Sequence, residues 1–530
     1  MSVAEQLTAQ RIQRHSSHEH TIDFGINVAG VPRLRAQATE GTKLTMWPGE
    51  LLDNAGRVTQ WSTGTPIFHS VQIDEGAIDW TPRFGFNGYR YLDVQGDIPD
   101  SAVWTTDVLR ASNRKVGTFR SSDVRLTRLH ELVDRAIQGN MHSVFTDCPH
   151  REKLGWLEQL HLCFGALTRN YDVEAHLRDC LHHIRVAQLP SGALPNIAPE
   201  LVDFSGLEFR GDTNAFREDP NWGGALVRMA WAHYRCYGDR RVLDENIHTI
   251  DRYLVYLAGR SKHGTLDFGL GDWVGLEHNT SREIVATHGW IGILRDAAQV
   301  HRVLGDQSRA VSLIEQADGV VRSLLSRHAL SSDSTQAEIV LLADLDKAES
   351  TRYLAALEAR LEQDAHVTVG EVALPAFIRL FTQTDRDRRL LELLMDPELP
   401  GYGYQVASDA TALTETWTMK GGDEGEGSQN HFMLGMIDDW LRETIAGLRQ
   451  ADNDIRWRNA VIEPRMEAGP SAAETHFASP QGLYSVAWDT AIGRVDITIP
   501  VGGSAELRLP ADWHAPSRVG AGQHEFFRRP

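Results

Sequence analysis

The stretch Phe145-Thr146-Asp147-Cys148-Pro149-His150-Arg151-Glu152-Lys153-Leu154-Gly155-Trp156-Leu157-Glu158-Gln159 gathers three carboxylates, an arginine, a histidine and a tryptophan into one turn and helix start. Cleavage of a glycosidic bond needs such a set. One acid protonates the departing oxygen, and a second carboxylate activates water or attacks the sugar. An aromatic ring covers the apolar face of the sugar. A second acid beside a tryptophan occurs in Ala410-Thr411-Ala412-Leu413-Thr414-Glu415-Thr416-Trp417, followed by a glycine-rich run and then Asn430-His431. Glu152 and Glu415 are the candidate catalytic pair. An arbitrary glutamate is ordinarily a solvated surface residue. Glu152 stands apart because Pro149 and Gly155 bracket it and Trp156 follows four residues on.

These segments need a frame to position them. From about Thr21 to Val108 the chain reads as β. Apolar and polar residues alternate in Lys43–Met46 and Gly88–Val94, with Gly, Pro, Asn and Asp between the runs. At Ser121-Ser122-Asp123 the period changes. Leu126, Leu129, Leu132, Val133 and Ile137 share a helical face behind a Ser/Asp cap. Helical patterns then dominate to about Gly447, for example Ile247/Ile250/Leu254/Leu257, Val311/Ile314/Val321/Leu324 and Leu390/Leu391/Leu394. About a dozen such segments in antiparallel succession suggest an (α/α)6 toroid, although the count alone equally suits a helical solenoid. After about Asp452, strand patterns return in Ala460–Pro464, Leu483–Trp488, Arg494–Ile499 and Ala505–Leu509. The expected fold is multidomain and mainly α: a β-sandwich over 1–115, an (α/α)6 catalytic domain over 116–450 and a second β-sandwich over 451–530.

The residues quoted so far resemble the bacterial α-L-rhamnosidases, family 78 of the glycoside hydrolases. That family carries an Asp-Cys-Pro…Arg…Glu…Gly-Trp block whose glutamate, four residues before the tryptophan, is the general acid. The matching position is Glu152, with Asp147 as the implied sugar-hydroxyl ligand and Arg151 and Trp156 as further substrate contacts. A second family block ends in an acid and a tryptophan and precedes an Asn-His pair. It implies Glu415 as general base, with Trp417 and His431 beside it. Between them, Asp219-Pro220-Asn221-Trp222-Gly223 and Gly271-Asp272-Trp273 match two further blocks, in family order, and imply Trp222, Asp272 and Trp273 as site residues.

The resemblance extends over nearly the whole chain. Asp23-Phe24-Gly25, Pro48-Gly49-Glu50 and Trp80…Tyr91 look like the family's β domain ahead of the toroid. The tail from Ile462 looks like its C-terminal sandwich. A short N-terminus relative to multi-module members argues against an added carbohydrate-binding module.

Three departures stand out. Arg151 directly abuts Glu152, where the family has one more residue. Gln159 replaces an aspartate, so either Glu158, one position earlier, takes over its contact or an amide makes it. Thr414 replaces the tryptophan that precedes the base.

The implied reaction is hydrolysis with inversion, releasing terminal α-L-rhamnose. Rhamnose presents a methyl group, which suits Trp156, Trp222 and Trp273, and three hydroxyls, which suit Asp147, Arg151 and His431. Each of these has an ordinary alternative. Trp222 and Trp417 could be core, Asp272 a helix cap, Arg151 a partner of Asp147 or Glu152, and His431 a core histidine. The rival functions are hydrolysis of a different or modified α-linked sugar on the same scaffold, and carbohydrate binding without turnover. Retention of both carboxylates disfavours the latter.

The bulk numbers exclude other classes. A formal net charge of −19 over 530 residues opposes nucleic-acid and anionic-membrane binding. No run reaches the ~18 apolar residues of a membrane helix, and the first twenty residues lack a secretory apolar core. Cys148, Cys163, Cys180 and Cys236 are too scattered for a disulfide framework, which fits free thiols and a cytoplasmic location. No His pair has zincin spacing, so no metal or other cofactor is expected. The acidic run Gly421–Gly427 lacks the Gly-Lys-Ser/Thr ending of a phosphate loop and is read as a loop near the base. The expected partner is a rhamnose-containing glycoside or oligosaccharide. The charge neither supports nor excludes a homodimer.

Overall fold

The computed structural model describes residues 1–529 apart from 64, 277–279, 329–344, 346, 365 and 420–426. The acidic loop expected near the base therefore lies, except for Gly427, outside the described residues. The chain divides into two compact units. One comprises Met1–Asn113, Glu131–Leu154 and Gln405–Phe432, and the other Arg114–His130, Gly155–Tyr404 and Met433–Pro530.

The first unit is built on a sheet. Its strands are β1 (Ser2–Thr8), β2 (Arg11–Ser16), β3 (Glu19–Ala38), β4 (Thr42–Gly49), β5 (Leu51–Leu52), β6 (Val58–Thr59), β7 (His69–Ile73), β8 (Gly76–Trp80), β9 (Asn87–Gly96) and β10 (Val103–Arg110). Eight of them form one sheet in the order β1-β10-β3-β9-β4-β7, with β2 and β8 also pairing with β3. Alternation along β4 buries Leu44 and Met46 and exposes Lys43. These side chains join Ile22, Phe24, Leu34, Tyr89, Leu92, Val94 and Trp104 in one core. The long β3 breaks register with β9 between Asp23 and Val28. Such irregularities re-aim a strand's side chains. Asn27, inside the break, donates its backbone N–H to Thr411 Oγ1 at 2.9 Å instead of to the ladder.

In the second unit, helices fill most of the chain from Glu158 to Trp440, and their apolar stripes make the core. Arg241–Arg260 buries Ile250, Leu254 and Leu257, as its period requires. Gln307–Arg327 turns differently from expectation. It buries Ala310, Leu313, Ala317, Val320 and Leu324 while Val311 is 54% exposed, because small alanines complete the buried stripe. The unit's sheet has seven strands: β11 (Gly117–Ser121), β12 (Leu448–Gln450), β13 (Asn459–Ile462), β14 (Ala472–Ser479), β15 (Gly482–Asp489), β16 (Arg494–Leu507) and β17 (Arg518–Phe527). The two strands expected over 494–499 and 505–509 are one strand. Its register shifts between Ile499 and Ser504, where Pro500 and two glycines interrupt pairing with β17.

A buried ion cluster ties these helices to this sheet. Asp438 accepts from His130 Nδ1 (2.6 Å), Asn170 Nδ2 (2.8 Å) and Arg442 Nε (2.9 Å). Arg442 also donates to Thr118 O in β11 and Thr475 Oγ1 in β14. The positive neighbours, Arg442 first, outweigh burial and hold the Asp438 carboxyl well below the usual carboxylate range.

Candidate active site

The acid block is a loop closed at its base by Asp147 and Leu154. Their backbones pair, Asp147 N donating to Leu154 O at 2.9 Å, and the Leu154 N–H donates to Asp147 Oδ1 at 2.9 Å. Asp147 Oδ2 accepts from the thiol of Cys148. Burial first, and then the Glu152 carboxylate, push the Asp147 carboxyl above the usual range. Burial likewise raises Cys148 well above an ordinary thiol, which keeps it a neutral donor. The left-handed Lys153 (φ 57°) turns the chain back. This leaves the Glu152 side chain 32% exposed at the outer part of the loop.

Glu415 is fixed from its own segment and from Ser428. Its backbone N–H donates to Ser428 O at 2.9 Å, and its Oε2 accepts the Ser428 N–H at 2.6 Å. Gly427 permits this approach, since a Cβ there would lie 3.0 Å from Glu415 Cβ and 3.2 Å from its Oε2. Arg151 then joins the two blocks. Its Nε lies 3.3 Å from Glu152 Oε1, and its Nη2 lies 3.4 and 3.3 Å from the two oxygens of Glu415. Burial works against the guanidinium's charge, but Glu415, Cys148, Glu152 and Asp147 outweigh it and raise its pKa.

His431 is 5% exposed, with Arg151, Glu152 and His150 in its electrostatic surroundings. Burial first, then the Arg151 charge, lower its pKa to about 3, so near neutrality it is an uncharged imidazole. Asp147, Arg151, Glu152, Glu415 and His431 thus come together within one unit. Trp417 belongs to that unit as well, but at 0% exposure it offers no ring face to a ligand.

The remaining expected residues lie in the second unit. Trp156 is half-buried and stacks on Phe204, with centroids 5.5 Å apart. Trp273 is half-buried against Phe209 and Phe216. Both pack on a core that contains Trp222. Trp222 itself is 2% exposed, a core residue in this structure and not a free wall. The acid of its block does structural work, because Asp219 caps the turn Pro220–Gly223 by accepting from the Asn221 N–H. Asp272 is also committed to backbone, accepting from the N–H groups of Gly370 (2.6 Å) and Ala373 (2.9 Å). Glu158 is buried in the first turn of the helix Glu158–Leu162, and Gln159 beside it is fully buried.

Sequence reasoning missed a group of residues from the N-terminal sheet. Gly88 N donates to Pro149 O at 2.9 Å, and a Cβ at Gly88 would sit 2.6 Å from Pro149 Cγ. Lys153 Nζ donates to Phe86 O at 2.6 Å. Glu50, just past β4, accepts from Asn27 Nδ2 (2.8 Å) and Gln429 N (2.9 Å). Glu50 and Gly88 belong to segments that mark the β domain, but no local spacing gives them a task at the site.

Among the described residues no cluster of His, Cys, Asp and Glu could hold a metal ion, and no helix is long and apolar enough to cross a membrane.

Comparison with known proteins agrees along the chain. Residues 13–112 match the bacterial α-L-rhamnosidase concanavalin-like domain, residues 114–445 the bacterial α-L-rhamnosidase 6 hairpin glycosidase domain, and residues 447–523 the bacterial α-L-rhamnosidase C-terminal domain. An α-L-rhamnosidase of Streptomyces avermitilis is 28% identical over 545 residues, covering 98% of this chain and 51% of that protein. One from Formosa agariphila is 23% identical, covering 92% and 55%. The chain therefore spans about half the length of these relatives.

Among solved structures, the Streptomyces avermitilis α-L-rhamnosidase complexed with L-rhamnose superposes with a TM-score of 0.89 at 25% identity, covering 99% of this chain and 53% of that one. The α-L-rhamnosidase from Dictyoglumus thermophilum superposes with a TM-score of 0.92 at 21% identity, covering 100% and 64%.

Proposed function

Because this chain belongs to the bacterial α-L-rhamnosidase family, we propose that it is a glycoside hydrolase releasing terminal α-L-rhamnose from glycosides or oligosaccharides, with inversion at the anomeric carbon. The observation that carries this reading is Arg151, whose one guanidinium contacts both its neighbour Glu152 and Glu415, 264 residues further along the chain. Both acids of the pair that glycosidic cleavage requires are therefore addressed to one locus.

Glu152, the more exposed, donates its proton to the departing glycosidic oxygen as the C1–O bond breaks. Glu415 takes a proton from water, whose oxygen forms the new bond to C1 on the opposite face. Inversion needs room for that water, with the carboxyl groups ~6.5–9.5 Å apart. Between the two acids, Arg151 holds its guanidinium against both carboxyl groups and so orients Glu415 toward the water. Neutral His431 and the carboxyl of Asp147 bind sugar hydroxyls. In the second unit, Trp156 and Trp273 are the candidate rings left half-buried, and such rings suit the apolar face and methyl group of a rhamnoside. Trp222 and Asp272 act structurally within the second unit and Trp417 within the first.

We assign the three family matches to three domains near 1–115, 116–450 and 451–530, the middle one an (α/α)6 toroid and the outer two β-sandwiches. Four buried cysteines outside any disulfide suit a reducing, cytoplasmic setting.

The test is release of p-nitrophenol from p-nitrophenyl α-L-rhamnopyranoside by the wild type, Glu152→Gln and Glu415→Gln. Turnover by the wild type that falls at least ~10²-fold in each variant supports the assignment. A folded wild type without turnover overturns it.

A further inference from the structure

Glu50 is a buried carboxylate, 6% exposed, at the end of a strand of the N-terminal sheet. Burial of a charged group is costly unless it is bonded on its oxygens. The bonds that Glu50 makes all lead toward the two catalytic segments. Its Oε2 accepts the N–H of Gln429, and the preceding N–H, that of Ser428, is the one that fixes Glu415 Oε2. Its Oε1 accepts from Asn27 Nδ2, and Asn27 Oδ1 accepts from Asn430 Nδ2 at 3.2 Å. Gln429 and Asn430, which follow Ser428, are thus both clamped from the sheet.

The same Oε2 lies 3.5 Å from His150 Nε2. His150 is 1% exposed, and neither ring nitrogen makes a hydrogen bond among the described residues. It directly precedes Arg151 and Glu152. Its backbone is pressed against β9, where a Cβ on Gly88 would lie 3.0 Å from His150 N. One oxygen atom therefore stands between the segment that orients the base and the residue that begins the acid's turn.

We infer that Glu50 is a positioning residue of the reaction, setting Glu415 through the Gln429 amide and Glu152 through His150. It rests on the reading of Glu152 and Glu415 as acid and base. It also gives the N-terminal sheet a part in turnover, since the carboxylate that aligns the pair comes from that sheet. The carboxylate touches neither substrate nor the reacting atoms. Its removal displaces the acid and the base without removing either.

The test compares wild type, Glu50→Gln and His150→Asn on two aryl α-L-rhamnopyranosides, one with a 2,4-dinitrophenyl and one with a 4-methoxyphenyl leaving group. The first needs little protonation by the acid and the second needs it fully. Thermal unfolding and circular dichroism are run alongside. For Glu50→Gln the expected result is kcat lower by on the order of 10²-fold with KM within threefold, since small misplacements of reacting groups cost about that much. The loss should be several-fold larger on the methoxyphenyl substrate.

For His150→Asn the expected loss is confined to the methoxyphenyl substrate, which keeps the inference testable should Glu50→Gln fail to fold. Folded variants with kcat within twofold of wild type overturn the inference, as does an equal loss on both substrates for His150→Asn. A wild type inactive on both substrates would instead overturn the reading of the acid and base themselves.

Discussion

Arg151 Nη2 lies 3.4 and 3.3 Å from the two carboxylate oxygens of Glu415. A guanidinium presents a rigid planar fork, and an ammonium offers only a point charge. Arg151→Lys should therefore keep the charge but lose simultaneous contact with Glu152 and Glu415. We expect kcat/KM on an aryl rhamnoside to fall by on the order of 10²-fold, and Arg151→Met to lose at least as much. Full activity in the lysine variant would show that only the charge matters.

The two catalytic variants should differ with leaving group. Glu152→Gln removes the proton donor, so its activity should recover substantially on a 2,4-dinitrophenyl rhamnoside, whose leaving group departs as an anion. Glu415→Gln removes activation of water and should stay down on both substrates, by ~10²–10⁴-fold. Steady-state kcat on the two substrates checks the assignment of acid and base. An exchange of the two patterns would reverse it.

Trp222 and Trp156 should separate stability from binding. Trp222→Ala empties a core position and is expected to cost ~3–5 kcal/mol in denaturant unfolding. Trp156→Ala removes a half-exposed ring and should raise KM about tenfold, with a much smaller effect on the unfolding midpoint. Equal destabilisation by the two changes would mean that Trp156 is core as well.

Much of this arrangement was legible in the sequence wherever a local pattern carried it. The helix beginning at Val124 buries Leu126, Leu129, Leu132, Val133 and Ile137, the face read from its period. The acid block and Glu415 were found because each pairs a carboxylate with a nearby tryptophan. The aromatic residues were less readable. Trp222 and Trp417 share their composition with Trp156 and Trp273, and only packing distinguishes a buried ring from a half-exposed one. Asp272 reads as either a ligand or a cap in sequence, and its carboxylate is taken by the backbone N–H groups of Gly370 and Ala373. Glu50 could not have been found at all, because its partner Gln429 is 379 residues away and no local spacing encodes such a contact.

The Asp438 cluster makes a prediction about acid stability. The folded-state pKa of Asp438 is depressed by Arg442 and His130. A depressed carboxyl contributes stability that is fully present above the unfolded value of ~3.9 and is lost as pH falls through the folded value. Asp438→Asn leaves Arg442 buried without its charge partner and should cost ~3–5 kcal/mol at pH 7. It should also flatten the decline of stability below about pH 4. Urea unfolding of wild type and variant at pH 7 and in that acid range measures both effects. A variant as stable as wild type at pH 7 would contradict the role of this cluster.

The central claim is that Glu152 and Glu415 act as acid and base in hydrolysis with inversion at C1. Proton NMR of a fast digest of p-nitrophenyl α-L-rhamnopyranoside, recorded before the released sugar equilibrates, tests it most directly. The account predicts that β-L-rhamnose appears first and that the α-anomer grows in only by mutarotation. First release of α-L-rhamnose, the signature of a covalent intermediate, would contradict it.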